Sequence, residues 1–263
     1  MNDKTCILIP VYNGSNFVLD AVDSALHQTH ENLTVVVVDN CSTDNTLELL
    51  SSRKSDPRMS VISSDAHLSM VGNFHRALTH SHADFIRFLS ADDVLEPDCI
   101  RRSLGPFQTY RDLGLVASSN RIIDDQGAVI GERSIPLSGY TSSRTLADFL
   151  FQRGNRIGGP SGVTIKSDAL PVPAIDQSLI CSFDFDLWVK LSARWALFGL
   201  PEPLYSVRIH NDQGTNRCLS RFKIEDQEIR HRVFIGRTDY PKIGKFRCLW
   251  LAITSMRLLR KKK

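Results

Sequence analysis

The chain has 263 residues, of which 42% are hydrophobic and 23% charged, and its formal net charge is +3. This composition is ordinary for a folded protein and argues against disorder, and the length suits one large α/β domain or two unequal halves. A net charge this small does not indicate a nucleic-acid partner.

The cysteines and the N-terminus exclude several further classes. The six cysteines are scattered, without a C-x-x-C pair or the spacing of a zinc site. The first apolar run is too short for a signal peptide, and no run of about 18 uninterrupted apolar residues occurs. The sequence therefore predicts reduced cysteines and a cytoplasmic location.

The first half alternates strand-like runs with amphipathic helices, which is typical of βαβ units and a mainly parallel sheet. Strands are predicted over 5–11, 33–38, 59–63 and 85–89, and helices over 16–28 and 70–80. The Ser42 and Thr43 hydroxyls can cap a short helix that buries Leu47 and Leu50. Pro97 suits the first turn of a further helix.

The pattern changes after residue 111. Strands over 115–119 and 128–131 flank Asp124-Asp125-Gln126-Gly127, a hairpin turn signal. A helix over 145–152, a glycine-rich loop over 153–162, a strand over 162–165, a helix over 185–194 and a strand over 204–209 follow.

Polar residues follow three of the predicted parallel strands: Tyr12-Asn13, Asp39 and Asp92-Asp93. Such residues commonly form turns, and each cluster alone is explained in that way. Ligands of open α/β sheets, however, bind at the carboxyl ends of the strands, and three clusters at one edge favour a binding site. The adjacent carboxylates are either a capped turn or a site for a hard cation such as Mg²⁺ or Mn²⁺.

Five segments, in order, resemble inverting family 2 glycosyltransferases with the GT-A fold. They are TCILIPVYNG at 5–14, VVVVDNCSTDNT at 35–46, FIRFLSADD at 85–93, FDFDLW at 183–188 and YSVRIH at 205–210. The resemblance covers roughly residues 5 to 215, and the ordered motifs make it specific. It implies a nucleotide-sugar-binding half over 1–110, an acceptor-binding and catalytic-base half over 111–215, and a helical, basic tail over 216–263.

The resemblance also implies roles for the residues at the strand ends. Pro10 and Tyr12 would line the nucleobase pocket, and Asp39 would accept a hydrogen bond from a uracil or thymine. Asp92 would hold the ribose or the donor sugar. Asp93 would be the protein ligand of a divalent cation, Mg²⁺ or Mn²⁺, that bridges the diphosphate of a UDP- or dTDP-sugar.

In the second half, Asp184 corresponds to the family's catalytic base, and a carboxylate at a helix start can take the proton of an acceptor hydroxyl. We expect Asp186 to help anchor the same helix. His210 either reaches the leaving diphosphate or is structural. Arg76 either lies near the nucleotide or is an exposed helix residue. The 158–162 loop either shapes the acceptor side of the cleft or is a connector.

Two positions depart from the family pattern. Ser90 replaces the first carboxylate of a full Asp-x-Asp motif, and Phe183 replaces a common glutamate. The resemblance predicts transfer with inversion to a saccharide or lipid-linked acceptor, in cell-surface polysaccharide biosynthesis. A non-catalytic nucleotide-sugar-binding module stays an alternative. A sugar-nucleotide nucleotidyltransferase is a weaker one, because no Gly-rich basic loop follows the first strand.

The last residues, 245–263, place apolar side chains among basic ones and end in a lysine cluster. A basic amphipathic helix of this kind lies on an anionic membrane surface or packs on its own domain. The first alternative predicts peripheral association with the inner face of the membrane.

Overall fold

The computed structural model describes residues 3–211 and 213–242. Within these residues, a ten-stranded mixed sheet is flanked by seven α-helices. The strands are β1 (Thr5–Val11), β2 (Leu33–Asp39), β3 (Met59–Ser63), β4 (Phe85–Phe88), β5 (Val94–Leu95), β6 (Leu113–Ile123), β7 (Val129–Arg133), β8 (Gly139–Thr141), β9 (Val163–Lys166) and β10 (Ala196–Arg208). The helices are α1 (Val18–Leu26), α2 (Thr46–Ser51), α3 (Met70–Thr79), α4 (Cys99–Thr109), α5 (Ser143–Arg153), α6 (Phe183–Leu191) and α7 (Gly214–Phe234).

The first half forms the parallel part of the sheet, in the order β3-β2-β1-β4. Both faces of its strands are buried, as is usual for parallel strands. Ile7 and Ile9 of β1 pack with α1, α2 and α4, whereas Cys6 and Leu8 pack on the opposite side with α3, α5 and α6. The predicted βαβ alternation is confirmed.

The second half extends the same sheet. β9 pairs antiparallel with both β4 and β6, and β10 then runs parallel to β6. The Asp124–Gly127 turn joins β6 to β7 as predicted, with Gly127 at a φ of 83°. Since β6 and β10 run in the direction of β1, the turn and the end of β10 lie at the same sheet edge as the end of β1.

The predicted starts of β10 and α6 were wrong, and one short strand was not predicted. β10 begins at Ala196 rather than at residue 204, and its register shifts around Pro203 because proline has no N–H for the ladder. α6 begins at Phe183, which places Asp184 and Asp186 in its first turn. β5, two residues long, pairs antiparallel with β10 and had no sequence signal of its own.

The α2 prediction also needs correction. α2 begins at Thr46, and its N-cap makes no side-chain hydrogen bond. Leu50 is fully buried, but Leu47 is exposed. Similarly, α4 begins at Cys99, so Pro97 precedes its first turn.

Among the described residues, no helix is both long and apolar enough to cross a membrane. The five cysteines in this part of the chain are free thiols. The predicted basic helix over 245–263 lies outside the described residues.

Candidate active site

The three polar clusters predicted from the sequence converge on one edge of the sheet. β1 lies between β2 and β4, and all three are parallel, so their carboxyl ends are neighbours. Val11, the last residue of β1, pairs in register with Asp39, the last residue of β2. Tyr12 and the Asp92-Asp93 turn follow at the same edge, where ligands of α/β sheets bind.

An exposed tyrosine and a buried carboxylate stand at the ends of β1 and β2. The Tyr12 side chain is 45% exposed, and its ring centroid lies 4.5 Å from that of His67. Asp39 is 1% exposed; its Oδ2 accepts from the Ser42 amide, while its Oδ1 has no hydrogen-bond partner among the described residues. Pro10 is buried within β1, where it pairs with Val38, and does not line open space.

The loops that follow β1 and β2 are bound to each other. Asn13, at a φ of 51°, donates its amide to the Ser42 hydroxyl and accepts from the Thr43 amide. The Ser42 hydroxyl therefore binds the β1 loop instead of capping α2. Burial opposes ionisation of Asp44, but hydrogen bonds from Thr46 and Ser15 lower the pKa of Asp44 to about 2.

Arg76 is hydrogen-bonded to the residues at the end of β2. Its Nη2 donates to Asn73 Oδ1 at 2.6 Å and to Asn40 Oδ1 at 3.0 Å, and its Nη1 contacts the Ser64 hydroxyl. The guanidinium is thus used to hold the Asp39-Asn40 turn. This geometry favours a supporting role over contact with a phosphate.

The two carboxylates of the Asp92-Asp93 turn have different surroundings. Asp92 is partly exposed, and its Oδ2 lies 3.1 Å from His210 Nε2. Asp93 is 6% exposed, and its Oδ1 accepts from the Arg208 amide of β10 at 3.2 Å. Burial, and then the charge of Asp92, raise the pKa of Asp93 to about 8. Asp92 and His210 therefore face the cleft, whereas Asp93 is part of the support beneath it.

Arg208, at the end of β10, holds the edge together. Its guanidinium donates to the carbonyl oxygens of Asp92 at 3.0 Å and Asp124 at 3.3 Å, and it pairs with Asp20 at 2.7 Å. It also lies 4.5 Å over the Phe17 ring. Arg208 lies inside the YSVRIH segment, but no sequence signal distinguishes it from its neighbours.

The glycine-rich loop over 153–162 is hydrogen-bonded to the residues that precede the Asp92-Asp93 turn. The Ser161 hydroxyl accepts from the Ser90 amide at 3.0 Å and donates to the Ser90 hydroxyl at 3.2 Å, so the side chain at the position of the missing carboxylate contacts the loop. The fully buried Arg87 donates to the Ser161 carbonyl at 2.6 Å and to the Thr164 hydroxyl at 2.9 Å. These bonds place the loop beside the Asp92-Asp93 turn, which favours the acceptor-side interpretation over a simple connector.

Asp184 is the second residue of α6. Its Oδ1 accepts from the Phe185 amide, and its Oδ2 accepts from the Asn155 amide nitrogen, both at 2.8 Å. Burial raises the pKa of Asp184 to about 7, although these hydrogen bonds act in the opposite direction. A carboxylate with this pKa is suited to accept a proton near neutral pH.

Two buried carboxylates anchor the helix that carries Asp184. Asp186 is fully buried and pairs with Lys190 at 2.7 Å and with Arg232 of α7. Glu225 of α7 accepts from the backbone amides of residues 180–182 at 2.7 to 3.1 Å. The anchoring role predicted for Asp186 agrees with this geometry, whereas Glu225 had no sequence signal.

Phe183, which replaces the common glutamate, is a core residue. It is 3% exposed, and its ring lies 4.5 Å from that of Phe74, which also packs against Phe88. Trp188 is buried as expected for a packing residue and donates to the Gly158 carbonyl at 3.1 Å. The departure at position 183 thus exchanges a polar contact for packing.

Comparison with known proteins agrees with this arrangement. The model of glycosyl transferase family 2 matches residues 6–165. Chondroitin synthase of Escherichia coli is 35% identical over 226 residues, covering 84% of this chain and 31% of that protein. Chondroitin synthase of Pasteurella multocida is 27% identical over 238 residues, covering 88% of this chain and 23% of that protein. The chain thus spans less than a third of the length of these relatives.

Solved structures show the same fold. Residues 1–349 of S. aureus TarS in complex with UDP superpose with a TM-score of 0.69 at 14% identity, covering 89% of this chain and 66% of that one. A mannosyltransferase of Pyrobaculum calidifontis, in complex with GDP-Man and Mn²⁺, gives 0.65 at 13% identity, covering 93% and 67%. The architecture is the GT-A fold predicted from the sequence. The chain belongs to glycosyl transferase family 2.

Proposed function

We propose that this protein transfers a sugar from a UDP- or dTDP-sugar to a hydroxyl of a saccharide or lipid-linked acceptor, with inversion at the anomeric carbon. The observation that carries the proposal is the convergence of Tyr12, Asp39 and Asp92 on one sheet edge, with Asp184 on the adjoining helix. The synthesis of a cell-surface polysaccharide is proposed from the relatives named chondroitin synthase.

The donor's base is proposed to bind at the ends of β1 and β2. Tyr12 offers an exposed ring for stacking, and His67 beside it offers a second ring. Asp39 Oδ1 is a buried acceptor without a donor among the described residues. Such an atom is costly unless a hydrogen bond satisfies it, and the N3–H of a uracil or thymine supplies one. UDP in a TarS complex supports this choice.

The residues at the Asp92-Asp93 turn fit a hard divalent cation that binds together with the donor. No group of three or more His, Cys, Asp or Glu side chains gathers within the described residues. Mg²⁺ needs only one or two carboxylates plus phosphate oxygens, so such a group is unnecessary. The sequence-based assignment made Asp93 the ligand. Because Asp93 is buried against β10, we propose that Asp92 and His210 hold the cation instead.

The chemistry proposed is a single displacement. The acceptor oxygen attacks the anomeric carbon as the bond from that carbon to the diphosphate oxygen breaks, and the nucleoside diphosphate leaves. Asp184 takes the proton of the attacking hydroxyl. A bound Mg²⁺ or Mn²⁺ supplies Lewis-acid stabilisation of the leaving group's charge. Asn155 and the Phe185 amide fix the carboxylate of Asp184 in place.

Release of the nucleoside diphosphate tests the proposal. The full chain is mixed with UDP- and dTDP-sugars, with Mn²⁺ or with EDTA, and release is followed with and without saccharide acceptors. We expect release that needs the cation, and its loss in Asp92→Ala and Asp184→Asn. Binding of donor without turnover in any mixture indicates the non-catalytic module, and no binding of any donor refutes the donor site.

A further inference from the structure

A second carboxylate stands beside Asp184 on a helix that neither the family model nor the sequence motifs reach. Asp226 lies on α7, and its charge contributes to the raised pKa of Asp184. The family model ends at residue 165 and the motifs at residue 210. No role in the chemistry described above falls to Asp226.

The contact between α7 and the loop beside the base is close. Gly154 ends α5 with a φ of 73°, and a Cβ atom there would lie 2.7 Å from Arg230 Nη2 and 3.3 Å from Asp226 Oδ2. The next residue, Asn155, donates to Asp184. Asp226 therefore lies against the same short loop that positions the base.

Within the described part of the chain, the carboxylate of Asp226 has no hydrogen-bond donor. Its neighbour Glu225 accepts three backbone amides, whereas Asp226 makes no hydrogen bond and no ion pair within 4 Å in residues 3–211 and 213–242. Asp226 is only half-buried, so part of its side chain is accessible to a ligand. Burial raises the pKa of Asp226, and Arg230 acts against this rise. An ionised carboxylate only accepts hydrogen bonds, so Asp226 suits a ligand that donates them.

We propose that Asp226 is a specificity-determining residue for the acceptor, and that it binds a sugar hydroxyl adjacent to the one attacked. The inference rests on the proposed function, because it assumes that Asp184 faces the acceptor. Two carboxylates beside the loop of Gly154 and Asn155 repel a phosphate and favour an uncharged polyol. The reactive end of the acceptor is therefore a neutral sugar and not a lipid phosphate.

The test measures binding of simple acceptor probes. Wild-type protein is loaded with UDP and Mg²⁺, and saturation-transfer NMR then follows methyl β-glucoside, methyl β-galactoside and methyl N-acetyl-β-glucosaminide, with geranyl phosphate as the phosphate probe. The variants are Asp226→Asn and Asp226→Ala. Glu228→Gln, an exposed carboxylate on the same helix, is the matched control.

We expect at least one neutral glycoside to bind wild type and Glu228→Gln alike, and to bind both Asp226 variants about tenfold or more weakly, the loss of a hydrogen bond to a charged group. We also expect that geranyl phosphate does not displace the bound glycoside from the wild-type protein. Unchanged glycoside binding in both variants, binding of none of the glycosides, or binding of geranyl phosphate alone overturns the proposal. UDP titration is separate: if wild type does not bind UDP, the proposed function itself fails.

A second readout excludes a purely structural role. Asp184 is faced by Asn155 and Asp226, and Asp226 in turn by Arg230 and Glu225. Removing the charge of Asp226 lowers the pKa of Asp184, so donor hydrolysis by Asp226→Asn rises at a lower pH than in wild type. Thermal melts confirm that each variant is folded. An unchanged pH profile in a folded variant contradicts the contact.

Discussion

Two aspartates at the cleft have raised pKa values because of the same physical cause, but they face different surroundings. Burial is the largest contribution for both Asp93 and Asp184. Asp93 is further raised by the charge of Asp92 and bonds to the backbone of β10. Asp184 sits at a helix start, held by Asn155. The first is suited to support the turn and the second to exchange a proton.

The pH dependence of turnover follows from Asp184. Its carboxyl must be ionised to accept a proton, and its pKa is about 7. Turnover is therefore expected to rise as the pH increases through about 7 and to be lost below it, and Asp184→Asn is expected to lower kcat by about 10² to 10⁴ with donor affinity retained. A pH-rate profile at saturating donor checks this. A profile that is flat between pH 5 and pH 8 would speak against Asp184 as the base.

The same shift has a consequence for stability. A carboxyl whose pKa is raised on folding binds its proton more tightly in the folded state, so stability falls as the pH rises from the ordinary value, 3.8, to about 7. At pH 8, Asp184→Asn is thus expected to melt no lower than wild type. Thermal denaturation at pH 5 and pH 8 measures this, and a large loss of stability at pH 8 would show a structural role for the charge.

The roles of Asp92 and Asp93 are separable by substitution. Asp92→Ala is expected to abolish the Mn²⁺-dependent part of donor binding, because Asp92 faces the cleft beside His210. Asp93→Asn keeps an oxygen for the Arg208 amide and is expected to retain that binding. Calorimetric titration of UDP with and without Mn²⁺ compares them. The opposite pattern would restore Asp93 as the ligand.

Arg208 joins three elements, namely β10, the Asp92-Asp93 turn and the β6–β7 turn. Arg208→Ala removes hydrogen bonds to three backbone carbonyls and an ion pair, all from a side chain that is 3% exposed. We expect a loss of roughly 2–4 kcal/mol in the free energy of unfolding. Asp20→Asn removes only the half-exposed partner and is expected to cost at most about 1 kcal/mol. Urea denaturation of both variants measures the difference, and equal losses would contradict the proposed anchoring.

Glu225 of α7 holds the backbone that precedes α6. Glu225→Gln replaces an oxygen that accepts backbone amides before α6 with a donor, which is expected to cost about 1–3 kcal/mol and to lower kcat more than donor affinity. Burial opposes ionisation of Glu225, but the three amides lower its pKa, so the contribution is present at neutral pH and lost in acid. Denaturation at pH 7 and steady-state kinetics test it; unaltered kcat would show that α7 does not position the base.

Sequence patterns predicted the first half well because local periodicity determines it. The β-branched run of β2 and the apolar face of α1 carry their own signals. Sequence patterns failed where contacts between residues distant in the sequence determine the local structure. β10 continues through Pro203 because β6 pairs with it on both sides of the proline, and Ser42 binds the neighbouring loop instead of capping α2.

The residues of the candidate site also fall into two groups, those that motifs predict and those that only the folded structure brings together. Tyr12, Asp39, Asp92 and Asp184 follow from motifs at strand and helix ends. Which of Asp92 and Asp93 faces the cleft depends on β10, more than 100 residues later in the chain, through the Arg208 amide. His67, Glu225 and Asp226 belong to no motif, and only the folded chain brings them to the cleft.

For the whole molecule, one continuous sheet joins a parallel half that carries the proposed donor residues to a mixed half that carries the proposed base. β9 is the junction, since it pairs with β4 on one side and with β6 on the other. The division into halves over 1–110 and 111–215 stays a prediction about function. The shared sheet gives a physical reason for the two sides of the cleft to keep a fixed separation.

A crystal structure of the full chain with UDP and Mn²⁺ would locate the donor and the cation. We expect the uracil ring against Tyr12 with its N3–H on Asp39, the anomalous peak of manganese within about 2.0–2.3 Å of an Asp92 oxygen, and the diphosphate facing Asp184 across the cleft. A nucleotide bound elsewhere, such as beside Tyr110 at the opposite end of the sheet, or manganese held without Asp92 would contradict it.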